Sequence, residues 1–232
     1  YYTLTKSRDS FGMQVLATFN PIGAGNYAEQ QHLHGPCFSD YLTSSYLLWK
    51  LQPNFKTFID LRDLDVFTPD FFNTFTEAVL EPDVFEQLDS QYHFNYVVLY
   101  RPQFAALHNY LYNDSTYSLA FLDPVTAVYV KHRRTTAPVV ATKLADNVSP
   151  LANVVNHVLN PLFKSGGREA VDLDYIYASY YISVGDLSVA AKHAEKSAQA
   201  NIENYKGQEI LGEVYFNRAL QAGSPALKDS LL

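Results

Sequence analysis

The chain predicts an α/β fold: a mostly parallel sheet with helices on both faces and an edge hairpin over residues 1–131, then a connector and an α-helical region over 132–232. Three observations point there. Through the first part, short apolar runs alternate with helical patterns, the signature of βαβ units. Composition changes after Lys131. Residues 1–131 hold seven Lys+Arg against fourteen Asp+Glu and 13 of the 15 phenylalanines, whereas 132–232 hold ten of each charge and are rich in Ala, Ser, Asn and Lys. Within the second part, a set of positions recurs after 34 residues.

In order along the chain, Gly25 to Leu33 reads as a short helix and Pro36 to Ser39 as a strand. Tyr41 to Leu51 carries Leu42, Tyr46, Leu47 and Trp49 with few charges and reads as a mostly buried helix, with Pro53 beyond its end. Lys56 to Asp60 is the next strand. Thr68 before Pro69 is an N-cap with proline at N1, and Phe71, Phe72, Phe75, Ala78 and Val79 make one apolar helical face. Pro82 opens a second helix, bearing Val84, Phe85, Leu88 and Tyr92. Asn95 to Tyr100 is apolar on both faces, as a central strand under two helical layers must be. Gln103 to Tyr112 is a helix. Tyr117–Leu122 and Val125–Lys131 are strands joined by Asp123-Pro124, too short a link for anything but an antiparallel hairpin.

The connector runs from His132 to Lys143, with a proline and no helical period. Ser149-Pro150 caps a helix with Leu151, Val154, Val155, Val158, Leu159 and Leu162 at a 3.6-residue period, stopped by Gly166-Gly167. Tyr177, Ala178 and Tyr181 then recur as Leu211, Gly212 and Tyr215. Between them Gly185-Asp186 breaks the helix, and Ala190, Ala191 and Ala194 form a small-residue face. This resembles one tetratricopeptide repeat, about 171–204, and the first helix of another. Two such units rarely stand alone, so the hairpin is expected to lean on the α/β part or to continue an array.

Composition excludes several classes. With 232 residues at 47% hydrophobic the chain can bury a large core, which removes disordered and fibrous classes. A net charge of -7 lacks the basic footprint of a nucleic-acid binder. The single cysteine, Cys37, excludes an intrachain disulfide and a multi-cysteine zinc site. No apolar run approaches a bilayer's width. The chain opens at Tyr1 without a leader pattern and reads as a piece of something longer.

Candidate chemistry is sparse. Asp60, Arg62 and Asp63 fall at the carboxyl end of a predicted parallel strand, where open α/β sheets place ligands; they could act in acid/base chemistry, or fix a loop through a bidentate Asp/Arg bond. His32 and His34 would need a third ligand to hold a metal. The Gly-X-Gly of Asn20 to Gly25 lacks the third glycine and the ribose-binding acid of a dinucleotide site. Cys37 reads as a buried small hydrophobe. Lys131 to Arg134 reads as a solvated basic cluster, and Asn113 and Asn147 each begin a glycosylation triplet. No nucleophile elbow, zinc helix or P-loop occurs. No cofactor or metal is called for.

From Pro21 to Val130 the order of motifs resembles the soluble extracytoplasmic C-terminal domain of bacterial polytopic membrane proteins of the GT-C glycosyltransferase-like type. The matching stretches are Pro21 with Gly25–Leu33, Pro36–Ser39, Tyr46-Leu-Leu-Trp49, Pro53 through Phe58-Ile-Asp60 to Arg62, Phe71–Tyr92, Tyr96–Leu99, Phe104–Tyr112 and Asp123–Val130. Leu61 stands where that family has glycine. The resemblance implies a periplasmic or cell-surface setting, anchored through a membrane segment outside this chain. The family's catalytic acids lie in membrane-proximal loops this chain does not contain, so no catalytic residue carries over.

The expected function is therefore a non-catalytic accessory or recognition domain for a protein or glycan partner. A free-standing carbohydrate- or small-molecule-acting enzyme using Asp60, Arg62 and Asp63 is one alternative, and a pure protein-interaction scaffold is another. For the scaffold, Tyr175 and Ser179 on one helix face, and Glu209 one repeat beyond Tyr175, are expected to line the partner surface.

Overall fold

The computed structural model describes residues 20–53, 55–62, 66–132, 172–200 and 205–221. Among them are eight helices and five strands: α1 Ile22–Gln30, β1 Gly35–Ser39, α2 Tyr41–Leu51, β2 Phe55–Thr57, α3 Pro69–Leu80, α4 Pro82–Tyr92, β3 Tyr96–Tyr100, α5 Ala105–Asn113, β4 Tyr117–Leu122, β5 Thr126–Lys131, α6 Leu173–Ser183, α7 Leu187–Ala200 and α8 Tyr205–Gln221. The predicted helix at 151–162 and the connector beyond His132 lie outside the described residues.

Local chemistry sets the boundaries. Asp40 caps α2, its Oδ1 accepting from the amides of Leu42 and Thr43. Thr68 caps α3, accepting from the Phe71 amide at 3.3 Å, with Pro69 in the first turn. α4 ends at His93 in the left-handed region, φ 56°. α1 begins three residues before the expected Gly25, because the Pro21 carbonyl accepts from the Gly25 amide and closes an earlier turn.

The sheet order is β2-β1-β3-β5-β4. The pairs β1–β2 and β1–β3 are parallel, whereas β3–β5 and β4–β5 are antiparallel. The expected mostly parallel sheet is thus a mixed one. The hairpin is antiparallel as predicted, but it enters through its second strand, so β5 is interior and doubles the antiparallel share.

Alternation along the strands divides the core into two layers. Cys37, Tyr96, Val98 and Val128 point to α1 and α2, packing with Ala24 and Leu47. Phe38, Val97, Leu99 and Tyr129 point the other way, to α3, α4, α5 and the C-terminal helices. Phe38 explains the phenylalanine bias: its ring lies 5.2–5.9 Å from those of Phe58, Phe75, Phe85 and Phe94. Such contacts add about 0.5–1.5 kcal/mol each beyond area burial.

The helical tail shares this second layer instead of forming a core apart. Tyr177, Ala178, Tyr180 and Tyr181 of α6 are buried in it. Three phenol contacts cross the junction: Tyr129 to Tyr180 at 2.6 Å, Tyr112 donating to Asp186 at 2.8 Å, and Tyr177 donating to the Leu122 carbonyl at 3.5 Å. Gly185, with φ +80°, turns the chain between α6 and α7. The 34-residue repeat is only partly expressed in packing. Leu211 is half-buried and Gly212 and Tyr215 are exposed, while α8 instead buries Gly207, Ile210 and Val214 against α7.

Candidate functional site

β2 stops at Thr57 instead of reaching Asp60. The Thr57 hydroxyl donates to the Ile59 carbonyl at 3.0 Å, and Asp60 Oδ1 accepts from the Arg62 amide at 2.8 Å, so the chain curls away from the sheet. Asp60 is buried. Arg62 Nε reaches its two carboxylate oxygens at 2.9 and 3.1 Å, and Nη2 reaches Oδ2 at 2.6 Å. This hydrogen-bonded guanidinium holds the carboxyl below its ordinary value, against the opposing effect of burial. The result is a loop lock formed by one turn's own residues. Asp63 lies outside the described residues.

The crevice between β1 and β3, where the strand order reverses because the chain goes from β1 to β2 and then back across β1 to β3, is the usual ligand position in an open α/β sheet. Here it is closed by Asp40. Its carboxylate accepts from the Leu42 amide (2.7 Å), the Thr43 amide (3.0 Å), the Thr43 hydroxyl (2.9 Å) and the Tyr100 amide (2.6 Å). Four donors satisfy a fully buried carboxylate, tying α2 to the end of β3.

The remaining candidates resolve as structure. Gly23 and Gly25 lie in the first turn of α1. A Cβ on Gly23 would come within 2.2 Å of Asp123 Oδ2, and one on Gly25 within 3.2 Å of the Tyr46 ring. The glycines thus serve close packing, and a carboxylate stands beside the turn where a phosphate would sit. His32 and His34 are both exposed, and no group of three metal-ligating side chains occurs among the described residues. Cys37 is fully buried and burial pushes its thiol up, which makes it inert as a nucleophile. Lys131 is not a free surface cation: it pairs with Asp89.

On the helical tail, Tyr175 and Ser179 are half-buried and Glu209 is exposed. Beneath them α6 and α7 are tied by two separate pairs, His193 to Asp174 at 2.7 Å and Ser197 donating to Asp172 at 2.5 Å. Because each acid takes a different partner, these do not make a relay from serine through histidine to carboxylate.

One feature escaped the sequence. An open groove of about 760 Å³ lies between α4, α5 and the ends of β4 and β5. α4 contributes Glu86 and Asp89, α5 contributes Asn109, Tyr110 and Asn113, and the following loop Asp114. The Tyr110 hydroxyl stands 2.8 Å from Glu86 Oε1 and 3.1 Å from Asp114 Oδ2, so one proton serves two carboxylates. Asp114 also accepts from the Thr116 amide at 2.7 Å and hydroxyl at 2.9 Å. Asp89 accepts from the Phe94 amide at 3.1 Å and binds Lys131. The sole sequence signal was helical spacing, Glu86 to Asp89 and Asn109 to Asn113, and nothing in that spacing joins the two helices. The chain matches no protein-family model, and neither curated proteins nor solved structures supply a similar one.

Proposed function

We propose that the chain is a non-catalytic recognition module, carried by a membrane-anchored glycosyltransferase-like protein and working on the extracytoplasmic side, with tetratricopeptide-like helices that present a partner surface. The observation that carries this reading is the Asp60–Arg62 lock. The acid that catalysis at the strand ends would require is consumed inside its own turn. The same lock weighs against the enzyme alternative, since Asp60 would have to exchange Arg62 for a substrate. The helical region supports the recognition role by being fixed to the sheet domain through buried phenols while Glu209 stands in solvent.

The test has two arms. An antibody against the chain should find the native protein in a membrane fraction that resists alkaline carbonate; recovery in the soluble fraction overturns the anchored setting. A photo-crosslinking residue placed at Ser179 or Glu209 in living cells should trap one discrete partner that the same residue at Glu77 on α3 does not. Equal labelling from all three positions overturns the partner surface.

A further inference from the structure

The helical layers on the two sides of the sheet differ in charge. On one side, α3, α4 and the residue that joins them expose Asp70, Glu77, Glu81, Asp83 and Glu86 and hold no lysine or arginine. On the other side, α1 and α2 carry one exposed acid, Glu29, which is paired with Lys50 at 2.8 Å. Asp40 before α2 and Asp60 after β2 are both buried, whereas the Arg62 side chain that locks Asp60 stands largely in solvent. The contrast belongs to the helices themselves, since Asp63 and Asp65 lie outside the described residues. On a chain of net charge -7, the negative charge of these layers therefore gathers on the α3–α4 side.

α2, in the less acidic layer, turns large apolar side chains outward. Leu42, Ser45 and Trp49 follow one another at i, i+3 and i+7 along one face of the helix. Leu42 is 42% exposed and Trp49 69%. Leu61, 48% exposed, is held beside them because its amide donates to the Ser45 hydroxyl at 3.2 Å. The Tyr46 ring lies 5.6 Å from that of Trp49. Leu42, Trp49 and Leu61 thus share one convex surface, flanked by Lys50 where α2 meets α1 and by Arg62 next to Leu61.

We infer that this face docks on an anionic phospholipid bilayer. Leu42, Trp49 and Leu61 enter the boundary between headgroups and acyl chains, Lys50 and Arg62 meet lipid phosphates, and the acidic α3–α4 side is directed away into solution. The indole ring has an apolar body and a polar N–H, and it settles at that boundary. Cations beside an outward apolar face hold a helix in the plane of an anionic surface. The face is convex, and the open groove lies elsewhere, between α4 and α5, so a planar partner fits it without a matching shape. This docking requires neither the membrane anchor nor the partner surface proposed above.

Trp49 is the only tryptophan of the chain, so its fluorescence reports on this face alone. The full chain is titrated at low salt with vesicles of phosphatidylcholine and phosphatidylglycerol in equal amounts. The emission should move saturably to shorter wavelength, and phosphatidylcholine brominated in its acyl chains should quench it. Leu61→Asp, at an exposed position, should weaken binding by about tenfold, through one lost aliphatic contact and a charge of the lipid's own sign. Leu80→Asp, at a 59% exposed position on α3, should bind as the parent does. The inference is overturned if vesicles leave the emission unmoved, as a face built for a protein would, or if Leu61→Asp binds as the parent does. It is also overturned if Leu80→Asp weakens binding as much as Leu61→Asp. Emission that is already at short wavelength in buffer and lengthens on dilution would show a second copy covering the face, and would overturn the lipid assignment as well.

Discussion

The phenol oxygens of Tyr129 and Tyr180 lie 2.6 Å apart in the buried seam between the sheet and the helical tail, and the directions of their protons follow from their neighbours. Tyr129 Oη is also 2.7 Å from His108 Nδ1, and His108 Nε2 faces the Tyr100 carbonyl at 3.4 Å. A carbonyl only accepts, so Nε2 carries the proton and Nδ1 is the acceptor. Tyr129 therefore donates to His108, and Tyr180 donates to Tyr129. The chain of donors runs from α6 through β5 to α5.

This polarity predicts unequal costs. Tyr180→Phe removes one donor and leaves Tyr129 still bonded to His108, at a cost of about 1 kcal/mol. His108→Phe strands the buried Tyr129 hydroxyl proton and should cost more, about 1–3 kcal/mol. Urea unfolding of both variants checks the order, and a cost for Tyr180→Phe equal to or above that of His108→Phe would reverse the assigned direction.

Two buried titratable groups should cancel in acid. Burial lowers His108 from 6.5 to about 4, with the Arg101 charge assisting, so between these values the unfolded chain binds more protons and stability rises with pH. Burial raises Asp123 from 3.8 to about 6 against hydrogen bonds from Thr126 and Val125, so in that window the folded chain binds more protons and stability falls with pH. Each shift is worth about 3 kcal/mol at 1.36 kcal/mol per unit. Across pH 4 to 6 the slope of unfolding free energy against pH should be more positive than the parent's in Asp123→Asn and more negative than the parent's in His108→Phe. Only the slopes are read, so the variants' lower absolute stability does not matter. Parallel profiles in all three would rule out the two opposed titrations.

How much of this was legible beforehand divides along physical lines. Period and caps are local, so Tyr41–Leu51, the Thr68-Pro69 start, Pro82–Tyr92 and the β4–β5 hairpin could be read directly. The ladder partner of β5 could not, because pairing with β3 is a choice among apolar strands that single-strand patterns do not encode. Asp60 was visible as a candidate for lock or site, and only the geometry of Arg62 decides for the lock. The groove was invisible: Glu86 meets Asp114 through Tyr110 across 28 positions of chain. The 34-residue match between α6 and α8 was visible, yet Gly212 and Tyr215 remain in solvent while Gly207 makes the contact with α7.

That difference between the two glycines of α8 gives opposite expectations for one substitution. A Cβ on Gly207 would lie 2.7 Å from the Ser197 carbonyl oxygen and 2.8 Å from its carbon, both backbone atoms that cannot rotate aside. Gly207→Ala should push α8 off α7 and cost about 1–3 kcal/mol. Gly212 has nothing within 4 Å, so Gly212→Ala should stabilise the helix by up to about 1 kcal/mol. Thermal melts of the two variants should move in opposite directions from the parent. A shared direction would mean that α8 does not pack on α7 through Gly207.

Cys37 supplies a probe that needs no mutation. Its thiol is fully buried in the layer under α1 and α2, and burial raises its pKa, so both access and thiolate fraction are low in the folded chain. Reaction with a thiol-specific disulfide reagent should be negligible at pH 8 in buffer and complete in denaturing urea, with one equivalent consumed because the chain has one cysteine. Asp40→Asn tests what keeps the layer shut. Its carboxylate receives the Tyr100 amide and also caps α2, and the neutral amide side chain keeps only one good acceptor oxygen for four donors. Opening of α2 should then expose the neighbouring Cys37 and speed labelling under native conditions by about tenfold for each 1.4 kcal/mol lost from the local closing equilibrium. If labelling stays as slow as in the parent, Asp40 is a helix cap alone and the closure of that crevice rests on the apolar contacts of Leu47 and Val98.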